Sequence, residues 1–424
     1  MEIAGQPPAT RGTSWKWWVC GLLLLASAIN YMDRQTLANA AVRITRQFQL
    51  NQEQYGNLEL VFGWAFAAGS TVFGIAVDRS AVRWLYPIVV VLWSAVGFAT
   101  GLVNSYGGLL LCRTLLGFFE GGHWPCAIKT TQRLLEPKDR AMGNSVLQSG
   151  ASIGAIIAPL VMTAMLTARL ESWRMPFQVV GATGLLWVVL WFALVRQTDL
   201  RPIPAPIAAN SGGQGAVSLW RLVFSRRMFV LFFVVACINT CWQTLRAWLP
   251  KFLQQGRGYG ETDALYFNSL FYVATDVGCL GAGALTFWLA RRGMSVHGSR
   301  SSVYFGCAAL SALTIVAALL SKGWLLLAVL LLVGAGALGV FPIYHAFTQE
   351  LSRDHQGKVT GITGVAAWIF SSPAQKLFGK LIDRTGSFDA GLAIAGCLPL
   401  VAFLVLWAFW DRSPEVLPTG REQT

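Results

Sequence analysis

The chain has 424 residues, of which 54% are apolar and only 12% charged, with 18 Trp and 25 Phe. That is about half the charge of an average soluble protein, and a mean hydropathy of +0.52 cannot be enclosed by a water-soluble exterior, which excludes a soluble enzyme and an ordinary nucleic-acid-binding protein. The formal net charge of +13 does not restore those classes, because a basic patch on a soluble core raises charge without raising hydropathy.

Apolar runs long enough to cross a hydrocarbon core of about 30 Å as helices recur along the chain. They lie at 17–38, 56–77, 84–103, 107–134, 142–166, 176–195, 228–249, 265–290, 302–320, 324–349, 359–380 and 390–410, which predicts twelve spans. The first holds Asp33 and Arg34, lacks a small-residue cleavage site and leads into further spans. It therefore reads as a retained span rather than a signal peptide. With the N terminus inside, nineteen of the 33 Lys and Arg fall on the cytoplasmic side, among them Arg11, Lys138, Arg201, Arg221, Arg353, Arg412 and Arg421, and nine on the other. Both termini are thus expected in the cytoplasm, and the basic excess adds attraction to anionic lipid heads.

Six spans precede and six follow residues 197–222, a Pro-, Ala-, Gly- and Ser-rich connector. The expected organisation is a bundle over 1–196, a cytoplasmic linker over 197–222 and a second bundle over 223–424. The halves also repeat. A shift of 217 positions superimposes Gly117 on Gly334, Gly122 on Gly339, Pro125 on Pro342, Thr131 on Thr348, Gln132 on Gln349 and Leu134 on Leu351. Two parallel repeats imply bundles that rock about a central site. The eight Cys show no ligand spacing, and Walker, GxGxxG and His-rich patterns are absent. No metal and no cofactor is expected, nor any enzymatic nucleophile–base pair.

At these residues the chain resembles the major facilitator superfamily, and within it the anion:cation symporters. Asn30-Tyr31-Met32-Asp33-Arg34 is similar to the NYxDR motif of the first helix, and Gly74 to Arg79 to the GxxxDR loop after the second. Arg113 to Glu120 is similar to the RxxxGxxE run of the fourth, Gly150, Gly154 and Pro159 to the fifth-helix glycine motif, and Trp248-Leu249-Pro250 to the end of the seventh. Pro125 to Lys129 and Ile382 to Ser387 resemble the hexuronate-transporter branch, while Phe66 and Ser70 stand where members often carry Tyr and Gln. The resemblance covers all twelve spans. It implies an all-α membrane protein of two six-helix bundles, monomeric, in a bacterial inner membrane, importing a hexuronate or related sugar acid with protons by alternating access. Sodium as the coupling ion, and a proton-driven exporter or antiporter of another metabolite or drug, are the competing readings. A greasier cavity suits the exporter, and five basic residues inside spans argue against it.

Those five are Arg34, Arg113, Lys129, Arg246 and Lys376, joined by the acids Asp33, Glu59, Glu120 and Asp276. An ionisable group at bilayer depth costs about 2.5–3.5 kcal/mol on insertion scales, so it is kept where it pairs or lines a wet cavity. Arg113, Gly117 and Glu120 run i, i+4, i+7 on one helix face. The superfamily packs its first and fourth helices together, which implies that Asp33 and Arg34 converge with them. Asp33 and Glu120 are the expected protonatable pair, with Glu120 favoured for coupling. Arg34 and Arg113 suit a carboxylate because the guanidinium forks onto both oxygens. Tyr31, Lys129, Gln243, Arg246, His345 and Gln349 are the other expected substrate contacts. Asp78, Arg79 and Arg83 are expected to form ion pairs of an inner gate. Glu59 and Asp276 read as packing residues, and so does His123.

Overall fold

The apolar runs fold as helices throughout, and short polar caps decide where they begin. Asn51 accepts from the Gln54 amide at 2.7 Å while Gln54 Oε1 accepts from the Asn51 amide at 2.9 Å, a reciprocal box that starts a helix. Ser105, Ser225 and Ser295 each accept an amide hydrogen at the start of other helices. A computed structural model describes residues 13–136, 139–196, 199–200, 223–351 and 356–410. Most of the expected connector 197–222 lies outside the described residues, as do Arg11, Lys138, Arg201, Arg221, Arg353, Arg412 and Arg421 of the charge asymmetry.

The first half holds α1 (Thr13–Gln47), α2 (Gln52–Arg79), α3 (Val82–Thr100), α4 (Tyr106–Glu120), α5 (His123–Leu134), α6 (Arg140–Met165) and α7 (Arg174–Leu194). The second holds α8 (Arg226–Lys251), α9 (Glu261–Arg291), α10 (Val296–Ala312), α11 (Thr314–Leu319), α12 (Trp324–Leu351), α13 (Gln356–Thr385) and α14 (Asp389–Phe409). Among the described residues, nine helical segments are long and apolar enough to cross a membrane. Large apolar side chains such as Leu186, Leu280, Leu319 and Leu404 stand exposed on them. Lipid covers that surface, and the protein is a multi-pass integral membrane protein.

Two expected spans differ. The run 302–320 is interrupted at Leu313, between α10 and α11. The run 107–134 is broken after Glu120 into α4 and α5. Gly121 and Gly122 are poor helix formers, Pro125 offers no amide to the Gly121 carbonyl, and the backbone of Gly121 lies directly against that of Phe66 and Ser70 on α2. In the second repeat Leu338 takes the place of Gly121, and α12 runs unbroken from Trp324 to Leu351.

Within the halves α1 packs on α6, α2 on α4 and α3 on α7, while α9 packs on α12 and α8 on α13 and α14. Between them α2 packs on α13, α6 on α9 and α1 on α8. The crossing of α2 with α13 uses glycine, since Gly56 abuts the backbone of Gln375 and Gly379 that of Gln52. Hydrogen bonds fasten the halves where α1 ends and α2 begins. Arg43 forks onto Glu261 at 2.7 and 2.6 Å, and the Asp383 carboxylate accepts from the Gln52 and Glu53 amides at 2.9 and 2.8 Å. Asn268 donates to Asn39 at 2.8 Å and Tyr55 to the Ala247 carbonyl at 2.9 Å. These links continue to mid-length, at Trp64 with the Ile369 carbonyl and Ser152 with Asp276.

Candidate functional site

Three arginines from α1, α4 and α8 meet between mid-length of α1 and the fastened end. Arg34 donates from Nε to Glu120 Oε2 at 2.7 Å. Its guanidinium carbon lies 4.5 Å from the centre of the Phe66 ring and 5.1 Å from that of half-buried Tyr31. Arg113 is wholly buried, 4.2 Å over the Phe62 ring, and reaches Glu59 Oε1 from Nη2 at 3.4 Å. Arg246 pairs through Nη2 with the other oxygen of Glu59 and gives its Nε to Gln243 Oε1 at 2.6 Å.

Local sequence produces this convergence. Glu59, Phe62 and Phe66 recur at i, i+3 and i+7, one stripe of α2. Gly117 lets α4 lie against the Phe62 backbone, and Gly63 lets α2 lie against Ser372 of α13. The aromatic faces hold the guanidinium groups by cation–π attraction, and the Trp368 ring of α13 adds to it 5.7 Å from Arg34.

The pairing is incomplete. Arg34 Nη2, Arg113 Nε and Nη1, Arg246 Nη1 and Glu120 Oε1 are buried and have no hydrogen-bond partner among the described residues. Buried donors are almost always satisfied, so the cluster offers guanidinium hydrogens that suit an acceptor such as a carboxylate. Asp33, one residue before Arg34, is turned toward α3, where it packs on Gly97, and neither of its oxygens meets a protein donor among the described residues.

Arg34, Arg113, Arg246, Glu120, Gln243 and Tyr31 thus come together. Lys129 does not join them. It sits on α5 and pairs with Asp78 Oδ1 at 2.6 Å within its own half. Asp78 and Arg79 are exposed at the end of α2, and Arg83 donates to the Val195 carbonyl at 3.0 Å. His345 and Gln349 are exposed a turn apart on α12, with no hydrogen bond to the arginines among the described residues. Buried His123 lies 3.0 Å from both the Ser27 and Tyr86 hydroxyls, the arrangement of a packing residue.

Glu59, expected as packing, is instead central. Its stripe with Phe62 and Phe66 was a signal for it, but its partner Arg246 lies 187 positions away. Gln35, which donates to Tyr272 at 2.6 Å, and Asn239, which donates to Ser371 at 2.8 Å, are further buried amides near this core that hydropathy concealed.

Residues 23–374 match the sequence profile of the Major Facilitator Superfamily. The chain is 24% identical over 417 residues to the hexuronate transporter of Escherichia coli strain K12, covering 95% of each. It is 27% identical over 411 residues to the probable L-galactonate transporter of the same strain, covering 93% of this chain and 88% of that one. Among solved structures it superimposes with a TM-score of 0.77 and 16% identity on a bacterial homologue of the human lysosomal transporter Spinster in an inward-facing, unoccupied conformation, over 95% of this chain and 100% of that one.

Proposed function

The chain belongs to the Major Facilitator Superfamily, a family of transporters rather than enzymes, and we propose that it carries a hexuronate or closely related sugar acid together with protons across the bacterial inner membrane. The carrying observation is the Arg34–Glu120 pair at 2.7 Å beside unpartnered guanidinium donors of Arg34, Arg113 and Arg246. The names of the relatives supply the substrate class, and the geometry supplies a way to hold it. A sugar-acid carboxylate forks onto Arg34 and Arg113, hydroxyls meet Gln243 and Tyr31, and the ring lies against Phe66 and Trp368.

Coupling follows from competition for one cation. A substrate carboxylate that engages Arg34 draws it from Glu120, and a buried carboxylate deprived of its cation takes a proton. Asp33, one residue from Arg34, is the second proton site. When the proton leaves, Glu120 reclaims Arg34 and the anion is expelled. Each ligand thus favours the other.

In the membrane, α4 with α5 and α10 with α11 each count as one span, giving twelve, with both termini cytoplasmic and bundles over 1–196 and 223–424 joined by 197–222. The fastened end then faces outward, and the conformation is inward-facing. Asp78, Arg79 and Arg83 close the inner end in the opposite state, Lys129 releases Asp78 for that purpose, and His345 and Gln349 line the exit. The carrier works as a monomer.

Glu120→Gln tests the coupling. Gradient-driven accumulation is lost while exchange of labelled for unlabelled substrate persists. Undiminished accumulation would overturn the assignment of Glu120.

A further inference from the structure

Glu59 differs from the other acids of the cluster. Its side chain is almost fully buried, one oxygen faces Arg113 of the first half at 3.4 Å, and the other pairs with Arg246 of the second. Arg34 and Glu120, by contrast, pair within one half. One turn before Glu59, Tyr55 donates to the Ala247 carbonyl across the same boundary, so α2 is pinned to α8 at this level. Gln243 fixes Arg246 through its Nε. The Glu59 carboxylate therefore spans two guanidinium groups that also present unpartnered donors, Nε and Nη1 of Arg113 and Nη1 of Arg246.

We propose that Glu59 is a resident stand-in for the substrate's carboxylate: it satisfies Arg113 and Arg246 in the empty carrier and yields them to the anion on loading. The inference rests on the sugar-acid reading of the site. Its physical basis is the cost of burying a charge without a counter-charge. A symporter must return empty after each delivery, which means rearranging the bundles around Arg113 and Arg246 with no anion bound. Glu59 gives the empty core its counter-charge, at the expense of competing with the substrate. The same residue then lowers affinity and permits net transport.

Glu59→Gln keeps the shape and removes the charge. With the competitor gone, glucuronate is expected to bind at least about threefold tighter, and net downhill uptake into substrate-free proteoliposomes to fall at least about tenfold, since it requires the empty return. Exchange, which moves only loaded carriers, continues.

Weaker binding in Glu59→Gln, or net uptake and exchange falling together, would show that Glu59 only supports the fold or positions the arginines. If the single variant does not fold, Glu59→Gln with Arg246→Gln carries the test, because the group of Glu59, Arg113 and Arg246 then keeps the net charge that it has in wild type. That double variant is expected to bind more weakly than wild type yet keep net uptake in proportion to exchange. Loss of net uptake alone in the double variant would overturn the inference. A wild-type protein that binds no sugar acid refutes the substrate reading and this inference with it. Binding by wild type with weaker binding by Glu59→Gln refutes this inference alone.

Discussion

Arg113→Gln removes the guanidinium that the protein itself engages least. Arg113 has a single long bond to Glu59, at 3.4 Å, and its Nε and Nη1 hydrogens have no hydrogen-bond partner among the described residues. Two separate bonds to substrate oxygens are available there, one from Nε and one from Nη1 on different edges of the guanidinium. A hydrogen bond to a charged group contributes about 1.5–3 kcal/mol. Taking the lower end for two bonds gives about 3 kcal/mol, roughly 150-fold in Kd for glucuronate. Arg113→Lys keeps the charge but loses the fixed placement of the two donors, and about a tenfold loss is expected. Glu59 retains Arg246 in both variants, so the fold survives, which thermal unfolding in detergent verifies. Titration calorimetry with glucuronate reads the affinity. Binding by Arg113→Gln within about threefold of wild type would mean that the carboxylate does not sit on Arg113, and the proposed substrate geometry would fail.

Two further outcomes test the frame around the site. Arg43→Gln removes the fork onto Glu261 and the bonds of Arg43 to the Thr167 and Arg169 carbonyls; a loss of about 1.5 kcal/mol shifts the two-state ratio roughly tenfold toward opening at that end. Spin labels at exposed Glu171 and Lys322, one on each half, are expected to report a grown long-distance population, and an unchanged distribution would exclude the latch. His123→Ala leaves the buried Ser27 and Tyr86 hydroxyls unpaired and opens a void beside Trp93, a destabilisation of about 2–4 kcal/mol seen as a lowered thermal midpoint. The pH profile of uptake stays as in wild type, and a displaced profile would assign His123 to the proton path.

Helices and buried charges were legible because both are local properties. An apolar run announces a span, and a charge inside it is conspicuous; the i, i+4, i+7 spacing of Arg113, Gly117 and Glu120 put two of the central groups on one face. The relations that failed depend on distant partners or on backbone direction. Lys129 follows Glu120 by nine residues and would lie along the same helix if that helix continued. The break at Gly121 and Gly122 redirects α5 and carries Lys129 to Asp78 instead. Glu59 looked like a packing acid because Arg246, its partner, belongs to the other half. Arg43 counted only as a loop charge, yet α1 extends to Gln47 and delivers it to Glu261. Asp383, noticed only for its place in a motif, receives the first amides of α2, the end of a helix where a carboxylate is favoured.

Transport of a sugar acid driven by protons is the central claim, and uptake of radiolabelled glucuronate, galacturonate and galactonate into proteoliposomes tests it most directly. With the outside made acid, at least one of the three is expected to accumulate above its external concentration and to leak back when the pH gradient is collapsed. No uptake of any of them would contradict the sugar-acid assignment, and uptake that ignores the gradient would contradict proton coupling.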